Sequence, residues 1–423
     1  MRTLSRSSVA DFGHSLGFED IEEALQSDTL QPDANASITC FSSFEDVEGL
    51  WRTFEQSASG SVYQHYDWCK IWFDVVSSQH DIIPLIVVWS IDTRTALLLP
   101  LYVSRGPLGT KVARLMGDDH ANIRVPFITS FAPDRLRMIQ AGNAGAVMPA
   151  IAKAIRNDGH ADVLVLTDMP KNLDGETNVL VSSACTASEV TLFSGELSSD
   201  FEALQARRRP GRSQRKMRRY LKKIQEIGEP EFVRIDDPTM LDNVLDAFFE
   251  QKGARLNQAG ESSAFDEDIN RKILRKLAHA SLKSGNKTLE FYAFIVNGQP
   301  IAIAGGGHHK DRFSMGINSM TDDPQFAAHS PGRLSLNCII ELFCSQGLEL
   351  FDLGLGENAY KHMWCDPVKL YDAQVALSWK GKVYGALSSL KRGMLNYIRR
   401  SPKALKLAKR ARFALQQLGA RHT

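Results

Sequence analysis

Residues 329–364 read HSPGRLSLNCIIELFCSQGLELFDLGLGENAYKHMW, and they join a helix start, one amphipathic helix and a strand that ends in glycines. Ser330 is a favoured N-cap, and Pro331 suits the first helical position, where its missing N–H costs nothing. Gly332 exposes the backbone at the next position. We therefore expect the amides of Gly332 and the two residues after it to point outward at the positive end of the helix dipole. Such a helix start is a site for phosphate.

The residues around this helix have both a functional and a structural interpretation. Arg333 can add a charge-assisted hydrogen bond to a phosphate. However, Ser-Pro begins many helices, and Gly332 can simply ease packing. Glycines at the end of the following strand let a ligand approach the backbone. The polar residues Glu357, Asn358, Tyr360 and Lys361 come directly after that strand. A strand end beside a helix start predicts a binding cleft.

The order of predicted elements, β-α-α-β-β-β-α-β, occurs twice along the chain. Such repetition indicates duplication. Asn297-Gly298 between two apolar runs predicts a hairpin, and a three-stranded meander followed by a helix and a strand predicts an α/β sandwich. The predicted organisation is a flexible leader (1–36), an N-terminal unit (37–200), a basic connecting helix (201–228), a C-terminal unit (229–383) and a basic amphipathic tail (384–423).

Charge is unevenly distributed in a chain of 423 residues with a formal net charge of +1. Ten Lys and Arg residues lie within 207–223, and twelve lie within 380–423, which has no Asp or Glu. The rest of the chain then holds 28 basic and 49 acidic residues. Residues 205–227 of the basic connecting helix contain one aromatic residue, Tyr220, and so lack a stacking platform for nucleic acid. This helix is either a solvated connector or a surface for anionic lipid, polysaccharide machinery or RNA.

The cysteine pattern indicates a protein of a reducing compartment, and neither a secretory signal nor a membrane span is predicted. Six scattered cysteines without a Cys-x-x-Cys pair argue against a disulfide framework and a zinc site. The first twenty residues lack the apolar core of a secretory signal. The apolar region 82–103 contains Asp92 and Arg94, so two strands are a better interpretation than a membrane span. The tail has an amphipathic period that fits either an interfacial membrane helix or packing on its own domain.

Two motifs give the chain a family resemblance. They are Ser330-Pro331-Gly332 at the helix start, and Phe351-Asp352-x-Gly354-x-Gly356 followed by Tyr360-Lys361-x-x-Trp364. With them, residues 40–380 resemble the CelD-like branch of the GNAT acyltransferase superfamily. These bacterial proteins are often associated with cellulose or other exopolysaccharide synthesis and are related to Fem-type aminoacyl transferases. The chain departs from the branch at Glu357-Asn358, where an Asp-Glu pair is usual, and at Ala359, where proline is usual.

The resemblance implies a fold and a set of site residues. The expected fold is α/β, an α+β sandwich of two tandem GNAT-like domains with mixed sheets flanked by helices, plus a basic C-terminal helix. The second domain would hold acyl-CoA between two splayed parallel strands, 312–320 and 348–356. Its expected donor-site residues are Ser330, Gly332 and Arg333 for the pyrophosphate, and the amide of Asn318 or Ser319 for the thioester carbonyl. Its expected catalytic residues are Lys361, Glu357 and Tyr360, without a metal.

The resemblance also implies an activity. We expect an acyl-CoA-dependent N-acyltransferase that transfers an acetyl or longer acyl group to an amine, with a link to cell-envelope or exopolysaccharide synthesis. The expected location is cytoplasmic, with peripheral attachment to the inner membrane or to polysaccharide synthesis proteins through the basic segments. Two alternatives stay open. One is a Fem-like transferase that uses aminoacyl-tRNA held by the basic helix, and the other is a non-catalytic scaffold of polysaccharide assembly.

Overall fold

The computed structural model describes residues 36–117, 130–131, 147–173, 175–209, 211–258 and 268–400. The predicted leader up to residue 35 and the tail beyond residue 400 lie outside these ranges. Helices and strands alternate along the described chain, so the predicted mixed α/β fold is confirmed. Among the described residues, no helix is both long enough and apolar enough to cross a membrane.

The predicted order of elements occurs twice. The first half contains β1 (Ala36–Phe41), α1 (Glu48–Ser57), α2 (Tyr66–Ser77), β2 (Ile82–Ile91), β3 (Arg94–Arg105), β4 (Lys111–Leu115), β5 (Ser130–Phe131), α3 (Val147–Asn157), β6 (Val163–Pro170), β7 (Asn172–Leu173), β8 (Glu176–Thr177) and β9 (Thr186–Glu196). The second half contains α4 (Phe201–Arg208), α5 (Gly211–Gln225), β10 (Pro230–Arg234), α6 (Pro238–Gln258), α7 (Asp268–Ser284), β11 (Glu290–Val296), β12 (Gln299–His309), β13 (Arg312–Met320), α8 (Pro324–Ala327), α9 (Pro331–Ser345), β14 (Leu350–Leu355), β15 (Asp366–Ala376) and α10 (Trp379–Arg400).

One sheet joins the two halves. Within the described residues it has 13 strands, in the order β1-β2-β3-β4-β6-β15-β9-β14-β13-β12-β11-β10, with β5 paired to β3. This order is symmetric about the β15–β9 pair. Strand β9 is the last strand of the first half but pairs with β14 of the second, while β15 is the last strand of the second half but pairs with β6 of the first. The halves therefore exchange their last strands.

The basic connecting helix predicted over 201–228 is two helices. Arg209, which comes between them, is extended, with φ −131° and ψ 120°. Residue 210 is a proline, which disfavours helical geometry in the residue before it and removes a backbone donor. The basic stretch therefore departs from helical geometry at Arg209.

A shared core lies between the helices of the two halves. Apolar side chains of α1 and α2 pack into one buried cluster with those of α6 and α7 and with β11. Its members include Trp51, Trp72, Leu245, Phe248, Ile273, Leu277 and Phe291. Burial of such side chains contributes about 1.5–3 kcal/mol each. The cluster therefore ties the N-terminal helices to the C-terminal ones.

The three consecutive glycines of β12 serve packing. A Cβ atom on Gly306 would lie 2.2 Å from the carbonyl oxygen of Ser314, and one on Gly307 would lie 2.1 Å from that of Thr288. No side chain fits at these distances. A glycine run after a strand can resemble a phosphate-binding loop, but these glycines permit close approach of neighbouring backbone.

Candidate functional site

A gap opens between the parallel strands β13 and β14. Their pairing covers Arg312–Leu350, Phe313–Phe351 and Ser314–Asp352. Just beyond it, the register of β13 with β12 shifts, because Gly305 pairs with Ile317 and Gly306 with Met315. The bulge at Gly316 turns β13 away from β14. Strands β13 and β14, for which the resemblance implies a splayed arrangement, therefore do separate. They separate at a bulge that was not predicted from the sequence.

A buried ion pair closes the narrow end of this gap. Nη1 of Arg312 donates to both carboxylate oxygens of Asp352 at 2.9 and 3.0 Å, and Ser314 Oγ donates to the same carboxylate at 3.0 Å. All three side chains are buried. Asp352 is thus a paired core carboxylate, and its place in the motif is explained by strand pairing.

A cavity of about 220 Å³ occupies the open end of the gap. It brings together six of the eight residues predicted for the site: Asn318, Ser319, Ser330, Gly332, Arg333 and Tyr360. Ala302, Ala304, Met315 and Leu336 form its apolar wall. Lys361 and Glu357 do not belong to the lining. The structure therefore places the predicted donor-site residues together and sets two of the predicted catalytic residues apart from them.

The start of α9 differs in detail from the prediction. Ser330 has left-handed backbone angles, φ 50° and ψ 57°, and its hydroxyl makes no capping bond. Its carbonyl oxygen instead accepts the amides of Arg333 at 3.0 Å and Leu334 at 3.3 Å. Two of the three amides expected to be free are therefore used within the helix. Among the described residues this leaves the amide of Gly332 for a ligand, beside the Arg333 guanidinium.

Ser335 is a cavity residue that the sequence reasoning missed. Its side chain is only 2% exposed, and its Oγ has no hydrogen-bond partner among the described residues. A buried polar group without a partner costs about 1–3 kcal/mol. Because Ser335 lines the cavity one turn along α9, a ligand oxygen or amide there would satisfy this hydroxyl.

Helix α6 supplies further cationic groups that were not predicted. Arg255 lines the cavity. Lys252 lies one turn earlier, where its Nζ donates to the Asn318 carbonyl at 3.4 Å and burial lowers its pKa. In sequence, α6 is an ordinary charged helix, so no local pattern separates these residues from surface ones. Together with Arg333, they make the cavity attractive to an anion.

The amide of Asn318 is better placed than that of Ser319 to polarise a carbonyl. Thr321 donates its amide to Ile301 of β12 at 3.0 Å. Amides alternate in direction along a strand, so Ser319 also faces β12 while Asn318 faces the gap. The Asn318 side chain donates to Tyr360 Oη at 2.9 Å. Asn318 therefore presents an amide to the cavity and orients the phenol.

The three predicted catalytic residues have different surroundings. Burial raises the pKa of Tyr360, so it remains a phenol whose own proton is free to be donated. Lys361 is buried, its Nζ donates to the carbonyls of Leu355 at 2.7 Å and Gly354 at 3.3 Å, and burial lowers its pKa to about 8. Glu357 is exposed and pairs with His362. Within the described residues, no group of three or more acidic, His or Cys side chains could hold a metal.

The part of the chain that builds this cavity matches a known family. Residues 211–362 match the family model described as acetyltransferase (GNAT) domain. This part of the chain is similar to a GNAT domain. The match covers about a third of the chain and includes β13, α9 and β14 together with the Tyr360-Lys361 pair. A comparison with curated proteins found no match.

Solved structures align with about 80% of this chain at low sequence identity. FemX is 10% identical with a TM-score of 0.52, over 79% of this chain and 96% of its own. A conserved protein of unknown function from Bacteroides thetaiotaomicron VPI-5482 is 10% identical with a TM-score of 0.49, over 80% and 100%. A tandem GNAT protein from the clavulanic acid biosynthesis pathway is 10% identical with a TM-score of 0.41, over 81% and 99%. The similarity to FemX concerns the fold alone.

Proposed function

We propose that the protein is an acyl-CoA-dependent N-acyltransferase whose donor site is the cavity between β13 and β14. One observation supports this most directly. The Gly332 amide, the guanidinium groups of Arg333 and Arg255, and the unpartnered hydroxyl of Ser335 all belong to one cavity at a helix start. Helix starts with free amides favour phosphate groups. A pyrophosphate would supply negative charge for both guanidiniums.

The chain's own groups fit the steps of acyl transfer. Acyl-CoA would supply an activated carbonyl and a thiol leaving group. The Asn318 amide would donate to the carbonyl oxygen, a contribution of about 3–4 kcal/mol for a donor of this kind. Tyr360 holds a proton suited to the departing sulfur. The amine that attacks must be neutral, and its surplus proton would pass through water to Glu357, which lies outside the cavity lining.

Lys361 has two roles open to it in this scheme. Its ammonium group would stabilise negative charge that develops in the gap, or bind an anionic part of the acceptor. Its Nζ is held by two carbonyls of β14 at the separated strand end, which fixes the charge close to the cavity wall formed by Tyr360. Both roles require the protonated form.

The sequence motifs also support a class of acceptor. The Ser330-Pro331-Gly332 and Tyr360-Lys361 motifs support membership of the CelD-like branch, and hence an amine acceptor linked to cell-envelope or exopolysaccharide synthesis on the cytoplasmic side. The acyl group would be acetyl or longer, since the apolar wall of the cavity tolerates methylene groups.

Coenzyme A binding tests the donor site directly. Isothermal titration of the full-length protein with CoA and acetyl-CoA should show binding, and Arg333→Ala should weaken it about tenfold or more, as expected for a lost charge-assisted bond. Arg94→Ala, on an exposed hairpin of the first half, removes the same charge and should change nothing. Equal affinity of wild type and Arg333→Ala, or absence of binding at millimolar CoA, would contradict the proposal.

A Fem-like, aminoacyl-tRNA-dependent reaction is the second candidate, because a basic helix lies beside the cavity. The ring of Tyr220 in α5 is 5.9 Å from that of His329, next to the start of α9. Helix α5 contains Arg212, Arg215, Lys216, Arg218, Arg219, Lys222 and Lys223. Tight tRNA binding with a steep salt dependence and no CoA binding would favour this candidate. A folded protein that binds neither would favour the non-catalytic scaffold.

A further inference from the structure

The helix α10 contacts the sheet through its smallest residues. Gly381 and Gly385 are buried against the protein. A Cβ atom on Gly381 would lie 2.0 Å from the carbonyl oxygen of Asp162, and one on Gly385 would lie 2.7 Å from the Gln374 side chain. Between them, Tyr384 Oη accepts a hydrogen bond from Arg114 Nη2 at 2.8 Å. This face of the helix therefore has a tight fit against β4, β6 and β15.

The large apolar residues of α10 are on its other side, in solvent. Five of the seven large apolar side chains that are most exposed among the described residues belong to this helix: Trp379, Val383, Leu387, Leu390 and Met394. They are between 39% and 71% exposed. Their spacing of three and four residues forms one stripe, about 22 Å long at 1.5 Å per residue. Folding of the described chain leaves this stripe uncovered.

A sixth exposed apolar residue lies beside the helix. Leu108 is 77% exposed, at the tip of the turn between β3 and β4, and its φ of 59° is unfavourable for a non-glycine residue. Its turn reaches α10, because a Cβ atom on Gly106 would be 3.4 Å from the Tyr384 ring. Exposed Arg105 and Lys111 flank the turn. The turn therefore adjoins α10, the helix that carries the stripe, at Tyr384.

The charge of α10 favours one kind of partner. Residues 380–400 of this helix contain six Lys and Arg and no Asp or Glu. A second copy of the chain would bring like charges together, whereas paired helices normally use opposite charges beside their apolar seam. A bilayer with anionic headgroups satisfies both the apolar stripe and the basic residues.

We propose that the α10 stripe and the Leu108 turn dock on an anionic membrane surface, with α10 lying in the plane of the interface. The apolar side chains enter the boundary between headgroups and acyl chains, and the basic residues remain among the headgroups. The glycine face keeps the helix attached to the sheet during docking. This inference does not depend on the proposed acyl transfer.

Vesicle co-sedimentation of the full-length protein tests the inference. Binding to vesicles of phosphatidylcholine with phosphatidylglycerol should exceed binding to phosphatidylcholine alone, and should fall with salt. Leu390→Glu and, separately, Leu108→Glu should each lower the partition coefficient about tenfold or more, since each replaces an inserted side chain by a charge. Lys283→Glu, on exposed α7 residue 283, introduces a larger charge change elsewhere and should leave binding near that of wild type.

Three results would overturn the inference. The first is equal binding of wild type and both Glu variants. The second is concentration-dependent dimerisation that Leu390→Glu abolishes, which would assign the stripe to a second copy. The third is a chain ending at Arg400 that loses all vesicle binding, which would assign binding to the tail. Because Leu108 lies outside α10, its variant keeps the test valid even where Leu390→Glu disturbs the helix.

Discussion

Lys361 is buried at the separated end of β14, yet the proposed chemistry uses its charge. Burial lowers its pKa to about 8, so the protonated fraction falls steeply across the pH range of ordinary assays. Its two carbonyl partners, on Gly354 and Leu355, hold the ammonium group in place. Burial disfavours the charged form of a lysine. Strongly lowered lysine pKa values are therefore concentrated at functional sites, and Lys361 is a candidate functional residue.

The pH profile of transfer should show the titration of Lys361. Once the acceptor amine is neutral, the rate should decline as pH rises through about 8, because the ammonium form is lost. Lys361→Arg, which stays charged, should shift this decline to higher pH, and Lys361→Met should remove most of the activity. Rates measured against pH with the true acceptor provide the check.

Deprotonation of Lys361 would not itself destabilise the folded protein. The pKa of Lys361 is lower in the folded than in the unfolded chain, so the unfolded state binds more protons between the two values. The contribution of Lys361 to stability therefore rises with pH above about 8. A profile that stays flat to pH 9.5 in the wild-type enzyme would contradict the assigned role.

Ser335→Ala should change stability and ligand affinity in opposite directions. Removal of an unpartnered buried hydroxyl should leave the free energy of unfolding of the apoprotein unchanged or raise it by about 1 kcal/mol. Affinity for CoA should fall. Ser345→Ala is the matched control, since Ser345 Oγ bonds the Leu342 carbonyl at the exposed end of the same helix. Urea unfolding with and without CoA measures both effects, and unchanged CoA affinity would exclude Ser335 from the site.

Of the residues that line the cavity, the sequence predicted those in the helix-start motif and in the motif that follows β14. Gly332, Arg333 and Tyr360 line the cavity because local backbone chemistry determined where they would lie. Ser335 and Arg255 were missed because a serine in a helix and an arginine in another helix have no local signature. Which amides stay free depended on the left-handed angles of Ser330, and Ser-Pro does not encode them.

Among the elements, the β13–β14 pair depends on the buried Arg312–Asp352 bridge. Asp352→Ala would leave the Arg312 guanidinium buried without its carboxylate, and the free energy of unfolding should fall by about 3–5 kcal/mol. Asp366→Ala breaks the two-pronged but exposed bridge to Arg208 and should cost less than about 1 kcal/mol. Chemical denaturation of both variants tests this contrast. Equal losses would show that burial does not set the strength of the bridge.

The order of helices and strands was predicted from the sequence, whereas two irregularities within them were missed. The order β-α-α-β-β-β-α-β was readable twice because periodicity and turn residues are local signals. The break at Arg209 was missed because the charge run on both sides of it predicts one continuous helix. The Gly316 bulge was also missed, since a glycine in a strand indicates a bulge only as one of several explanations.

The exchange of β9 and β15 is a property of the whole molecule and was not predicted. A strand keeps the same alternation of residues whichever neighbour it pairs with, so periodicity cannot assign partners. Strand β9 pairs with both β14 and β15, and the core shared by α2 and α7 adds a second connection. Each half of the sequence, taken alone, would therefore lack one strand of its part of the sheet. It would also expose the apolar side chains of the shared core.

Division of the chain between β9 and α4 should yield fragments that fold only together. We expect fragments 1–199 and 200–423, expressed separately, to be insoluble or to unfold without a cooperative transition, because each exposes strand edges and half of the shared core. Co-expressed, they should purify as a complex whose circular dichroism matches that of the intact chain. A matched cut in the β2–β3 turn at Asp92, within one half, should complement less well, since it divides an antiparallel hairpin. A cooperative thermal transition of fragment 200–423 alone would show that the exchanged strand is dispensable, and that the second half is an independent domain.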